Sequence, residues 1–165
     1  MNEAHYHLVV NHFPIVGTIF GLGILLVGLV LKRSYLKNTA YVLFCIAAIT
    51  GILSMNTGEG AEEMVENMPS VGHKIIHEHE EIAEKLALVL NVLGLISLAG
   101  LYLETKKNRF AALTSYLALV MAILAIFIGK EVGTSGGEIR HTEIRSTTTV
   151  SSATPSVESH EADEE

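Results

Sequence analysis

Long uninterrupted apolar runs dominate the pattern of hydrophobic and polar positions along the chain. Four stretches carry no Lys, Arg, Asp or Glu: residues 8–31, 39–55, 86–103 and 110–128. Each approaches the roughly 20 residues that a helix needs to cross a hydrocarbon core. Apolar residues at helical spacing extend the third stretch toward its N-terminus, out of the membrane. The pattern predicts an all-α integral membrane protein with helices at about residues 8–31, 39–56, 73–104 and 110–130.

The short loops after the first and third helices favour an antiparallel, up-down four-helix bundle in which the first and third helices lie diagonally. Gly58 and Gly60 predict the end of the second helix. One transmembrane domain then covers residues 1–145. Residues 146–165 are rich in Ser and Thr and acidic, a composition that predicts a disordered tail.

Composition supports the membrane interpretation and excludes several classes of function. The 165 residues are 49% hydrophobic and 18% charged, with a mean hydropathy of +0.40. A net charge of −7 argues against a nucleic-acid partner, which would need a basic face. The single cysteine, Cys45, excludes an internal disulfide. We find no nucleophile–base pair or phosphate-binding loop, so an independent enzyme is the weakest hypothesis.

The charges of the loops predict the orientation in the membrane. Two short loops are basic, and they carry Lys32, Arg33, Lys37, Lys106, Lys107 and Arg109. The long segment between the second and third helices is acidic. Because basic loops stay in the cytoplasm, both termini and the acidic segment are predicted to be periplasmic. The expected location is the bacterial inner membrane, with the lipid bilayer as a partner.

In this topology all eight histidines lie on the periplasmic side: His5, His7, His12, His73, His77, His79, His141 and His160. On a helical wheel, His79 lies at the centre of the apolar arc of the third helix. His73 and His77 lie on the opposite, acidic arc. His12 stacks over Ile15, Val16 and Ile19 on the first helix, so we expect it to face the bundle interior.

A pair of histidines at matched depth on diagonal helices is typical of a cofactor site in a bundle. Neutral imidazole is a good ligand for haem iron. The pattern therefore predicts haem b with His12 and His79 as axial ligands. His7 is a third candidate, because the chain ahead of Pro14 could swing it inward. The alternative is that these histidines are structural and hydrogen-bond each other, Asn11 or Glu78.

Two further motifs have a functional and a structural interpretation. His73, His77 and Glu80 have spacing that could hold a transition metal on a helix surface, or they form a solvated acidic face. Gly17 and Gly21 form a GxxxG pattern, which favours close helix packing or gives clearance for a porphyrin edge.

The N-terminal string H-x-x-x-x-H-F-P-I, from His7 to Ile15, resembles the opening of an uncharacterised bacterial family of four-helix membrane proteins, a domain of unknown function. This chain has Leu8 where that family often has Pro. The resemblance spans roughly residues 5–141 and includes TGEGAEE from Thr57, His79-Glu80 and Gly136-Gly137-Glu138. The resemblance implies the four-helix fold and singles out His7, His12 and His79 as candidate site residues. It suggests association with redox proteins but implies no particular activity.

The leading hypothesis is a small membrane protein whose periplasm-facing histidine site binds haem b and transfers electrons between quinol and a periplasmic redox partner. One alternative is a non-redox scaffold or accessory subunit with structural histidines. Another is a periplasm-facing transition-metal binder that uses His7, His12, His73 and His77. A homo-oligomer is compatible with each of them.

Overall fold

The computed structural model describes residues 2–66, 68 and 71–145, and it confirms an all-α bundle of four long helices. The elements are α1 Glu3–Val10, α2 His12–Val30, α3 Ser34–Val65, α4 His73–Thr105 and α5 Ala111–Arg140, followed by a 3-10 turn at Thr142–Ile144. The first of the four helices is made of α1 and α2 together. The predicted disordered tail, residues 146–165, lies outside the described residues.

Neighbouring helices follow the order of the chain around the bundle. α2 packs on α3, α3 on α4, α4 on α5, and α5 closes the ring against α2. α2 therefore lies diagonally from α4, as predicted. The centre of the core contains fully buried side chains from all four long helices, including Leu25, Phe44, Leu93 and Ala118.

Small residues line the inside of this bundle and large apolar residues cover its outside. Most buried positions of α3 and α5 are Ala, Gly, Ser or Thr. Large side chains that are more than half exposed include Phe20, Leu88, Leu95 and Phe127. This distribution is typical of membrane helices, since lipid solvates large apolar side chains and small residues let the backbones approach. All four helices are long and apolar enough to span a membrane.

Close helix packing is the role that the structure gives to the GxxxG glycines. A Cβ at Gly21 would lie 2.5 Å from the Phe44 ring, and one at Gly17 would lie 3.6 Å from the Ala47 Cβ. Both glycines thus face α3. A comparable contact holds α3 to α4, where a Cβ at Gly100 would lie 2.5 Å from the Tyr41 ring.

The first helix is interrupted at Asn11 because Pro14 cannot donate a hydrogen bond to the carbonyl of Val10. The interruption is mild. Asn11 keeps right-handed helical dihedrals (φ −63°, ψ −20°) and its N–H still bonds to the His7 carbonyl at 2.9 Å. The helical periodicity of the side chains is therefore the same in α1 and α2.

The prediction that Gly58 and Gly60 end the second helix is wrong, because α3 continues to Val65. Side chains from α1 occupy the space that the two glycines leave free. The His7 ring packs against Gly58, and the Glu3 side chain packs directly against Gly60. Helix α1 thus covers the two glycine positions of α3 with side chains of its own.

Candidate histidine site

His7 lies on the inward face of α1 and reaches α3. Its Nδ1 is 3.1 Å from the Ser54 carbonyl oxygen and 3.3 Å from Thr57 Oγ1. A carbonyl oxygen can only accept, so the proton of the neutral ring is on Nδ1. Helix α1 is thereby fixed to α3 through an imidazole N–H.

His79 makes the equivalent contact between α4 and α5. Its Nδ1 is 2.9 Å from Ser135 Oγ. The Ser135 hydroxyl donates its own hydrogen to the Val132 carbonyl at 3.2 Å. With that hydrogen directed to Val132, Ser135 Oγ accepts the Nδ1–H of His79.

The two rings lie at the same end of the bundle, on diagonal helices, and their protonated forms would repel each other electrostatically. Both rings are partly buried. Because each Nδ1–H is already bonded to a neighbouring helix, each ring retains Nε2 as its lone-pair nitrogen. Metal-bound histidines commonly have this arrangement, in which a hydrogen bond on one nitrogen orients the other.

Glycines flank both imidazoles. A Cβ added at Gly58 on α3 would lie 3.5 Å from His7 Cε1. One added at Gly136 on α5 would lie 3.0 Å from His79 Cε1 and 3.7 Å from its Nε2. At these two positions the helices beside the histidine pair therefore present backbone, not a side chain, to the ring. We refer to this end of the bundle, formed by α1, the C-terminal turns of α3 and α5 and the N-terminal turns of α4, as the histidine end.

Asn11 lies one helical turn from His7 on the same face of the first helix. Its Oδ1 is buried and has no hydrogen-bond partner within the described part of the chain. A buried carbonyl oxygen without a partner is costly. Residue 11 is therefore a second polar group on the side of the helix that carries His7.

The prediction that His12 faces the interior opposite His79 is wrong. The His12 side chain is exposed, and its Nδ1 is bonded to the Leu8 carbonyl at 2.9 Å. It lines a shallow apolar surface cleft of about 130 Å³ with Phe13 and Val16. The structure places His7, not His12, on the inward face at the end of the bundle that contains His79.

A signal in the sequence does identify the correct histidine. The buried positions of α2 are Pro14, Thr18, Gly21, Leu25 and Gly28. Steps of three or four residues back from Pro14 reach Asn11 and then His7. In a membrane helix, small residues mark the packed face, so the glycine stripe is the better guide than the large apolar residues beneath His12.

The residues of the predicted surface metal site do not come together. His77 is exposed, with its ring nitrogens 3.9 Å from Glu80 and 3.5 Å from Glu81. The Glu80 carboxyl group lies near Glu62 on α3, and His73 is exposed. Across residues 2–66, 68 and 71–145, no three His, Cys, Asp or Glu side chains form a group that could hold one ion.

Two other histidines lie on the surface. His5 is exposed in the first turn of α1. His141 follows α5, with Nδ1 2.9 Å from Glu143 Oε1. The pKa of Glu143 is lowered, first by a hydrogen bond from the backbone N–H of Glu143 and then by the His141 side chain. This exposed pair is separate from His7 and His79.

Comparisons of the chain with protein-family models, with curated proteins and with solved structures found no match.

Proposed function

We propose that the chain is a small membrane protein that binds haem b between His7 and His79 and uses it for electron transfer. One observation carries this proposal. Two imidazoles on diagonal helices are each held by an Nδ1–H hydrogen bond, to Ser54 and to Ser135, and each retains an Nε2 lone pair. Two such nitrogens are the complete protein ligand set of a bis-histidine haem, since the porphyrin supplies the other four.

The two rings pack directly against glycines of the flanking helices, His7 against Gly58 and His79 against Gly136. No side chain from these two positions stands between the helix backbone and the ring. Haem would supply one-electron chemistry here. The protein would supply ring orientation through Ser54 and Ser135 and partial exclusion of water. A quinol in the bilayer and a periplasmic redox protein are the electron donor and acceptor that we propose.

The decisive experiment replaces each imidazole by asparagine. The Asn side-chain N–H₂ can stand in for the Nδ1–H, while the Nε2 ligand is lost. We expect wild-type protein, expressed with ample haem, to show the absorption spectrum of a six-coordinate b-type haem. His7→Asn and His79→Asn should each abolish or grossly alter it, and the matched control His12→Asn should not.

Several results would overturn the proposal or its ligand assignment. Wild-type protein without haem absorbance would end the cytochrome proposal. Loss of the spectrum in His12→Asn but not in His7→Asn would keep haem and reassign one ligand to His12. Haem release should also follow acidification, because protons compete with iron for Nε2. A spectrum that stays unchanged from neutral to mildly acid pH would contradict ligation by His7 and His79.

The same hydrogen bonds favour a second candidate, a non-redox scaffold or accessory subunit. Both imidazoles connect two helices, α1 to α3 and α4 to α5, and this alone can explain their presence. In that case His7→Ala and His79→Ala should lower the stability, the asparagine variants should restore it, and no variant should bind haem. Elemental analysis of the purified protein tests the remaining alternative, a transition-metal binder.

The histidine end is proposed to face the periplasm of a bacterial inner membrane, because the basic turns lie at the opposite end. The experiment uses a background in which Cys45 is replaced by Ala. An impermeant thiol reagent added outside intact cells should label Glu63→Cys, which is exposed at the histidine end. It should not label Asn108→Cys in the turn between α4 and α5. The reverse labelling pattern would invert the orientation.

A further inference from the structure

Two exposed basic turns lie at the end of the bundle opposite the histidines. One joins α2 to α3 and the other joins α4 to α5. Their exposed cationic side chains are Lys32, Arg33, Lys106, Lys107 and Arg109. Lys32 and Lys107 have left-handed backbone dihedrals (φ 53° and 49°), which reverse the chain tightly after each helix. The charges are thus concentrated in two compact turns.

A buried ion pair brings these turns together. Lys37 in the first turns of α3 contacts Glu104 at the end of α4, and their side chains are only 15% and 6% exposed. Glu104 is the sole acidic residue in the segments 32–38 and 103–110. Because Lys37 neutralises it, the five exposed cations face outward without a competing carboxylate in either segment. We refer to this region as the basic end.

Aromatic side chains surround the same end. Tyr35 is 65% exposed, Tyr102 63% and Phe110 48%. The Arg109 guanidinium lies 4.8 Å from the centroid of the Phe110 ring. Exposed Tyr next to Lys and Arg at the end of apolar helices is typical of the interface between the hydrocarbon core and the lipid headgroups.

We propose that the basic end is a binding surface for the phosphate headgroups of anionic phospholipids. The cations are complementary to phosphodiester charge, and the aromatic rings and the exposed apolar helix surface next to them fit the adjoining glycerol and acyl region. A nucleic acid or an acidic soluble protein would meet the charges but not the apolar surface. This inference is independent of the haem proposal, since it uses no residue of the histidine end.

The test offers detergent-solubilised full-length protein an equimolar mixture of phosphatidylglycerol and phosphatidylcholine and counts bound lipids by native mass spectrometry. The test variant is Lys106→Gln/Lys107→Gln/Arg109→Gln. The matched control, Lys74→Gln/Lys85→Gln/Lys130→Gln, removes the same charge near the histidine end. We expect wild type and control to prefer phosphatidylglycerol. The test variant should lose that preference by at least roughly fivefold, since each cation near an anionic surface contributes measurably.

Three further results separate this proposal from general charge attraction. At constant ionic strength, inorganic phosphate should not displace the lipid, because the apolar contacts are absent from it. Raised salt should weaken the preference, because these exposed charges are screened. An unchanged preference in the test variant, an equal loss in the control variant, or displacement by inorganic phosphate would overturn the proposal.

Discussion

The two ends of the bundle differ in how completely their inward-facing polar groups are paired. At the basic end, the buried charges of Lys37 and Glu104 satisfy each other across α3 and α4. At the histidine end, His7 and His79 are each satisfied at one nitrogen only, by Ser54 and Ser135. The ion pair has little capacity left for a ligand, whereas each imidazole retains a lone pair. Binding chemistry in the interior is therefore expected at the histidine end, and the basic end is expected to act through its outer surface.

The largest expected effect comes from breaking the ion pair. Lys37→Ala leaves the buried Glu104 without its cation, and removing one partner of a buried pair costs about 3–5 kcal/mol. The double variant Lys37→Leu/Glu104→Leu should lose much less, because no buried charge remains. Unfolding in detergent micelles measures both. If Lys37→Ala has the stability of wild type, the pair does not hold the basic end together.

Crowding His79 should have the next largest effect. An alanine at 136 would place its Cβ 3.0 Å from the ring, and overpacking of this kind costs about 1–3 kcal/mol. The matched control is Gly133→Ala on the same helix, where no heavy atom lies within 4 Å of the added Cβ. That change should stabilise α5 by up to about 1 kcal/mol, as replacing a helical glycine does. Equal stability of the two variants would show that the His79 ring moves away freely.

A smaller effect is expected from Tyr41→Phe in the basic half of the bundle. The buried Tyr41 hydroxyl is 2.8 Å from Ser115 Oγ, and Ser115 itself donates to the Ala111 carbonyl. The lost hydrogen bond should cost about 0.5–1.5 kcal/mol. The matched control is Tyr35→Phe at an exposed site, which should leave the unfolding free energy unchanged. An equal loss in both variants would mean that the Tyr41–Ser115 bond contributes nothing specific.

The smallest effect is expected on the outer face of the histidine end. His73 and His77 are exposed, and changes at such surface positions shift stability by about 0.5 kcal/mol or less. His73→Ala/His77→Ala should therefore leave both the unfolding free energy and any haem spectrum as in wild type. A loss of bound metal or haem in this variant would restore the surface metal site predicted from the sequence.

The amino-acid sequence by itself determined the number of helices, their order and the diagonal placement of the first and third. Apolar runs near the length of a bilayer crossing, separated by short loops, leave few other arrangements. It also identified His79 as inward-facing. Near His79 the helix extends beyond its uncharged run, residues 86–103. Outside the bilayer the usual rule holds that apolar neighbours mark the packed face.

The tertiary structure decided which histidine faces inward with His79, although the small residues of the first helix already point to His7. Within the bilayer the same rule reverses, because lipid solvates large apolar side chains and the packed face is made of small residues. His12 lies on the same face as Val16 and Ile19 and therefore points away from the bundle. His7 lies on the same face as Pro14 and Gly21 and therefore points into it. The acceptors Ser54 and Ser135 lie 47 and 56 residues away from the rings that they hold. Such pairings depend on how the helices rotate against each other, which no local sequence pattern specifies.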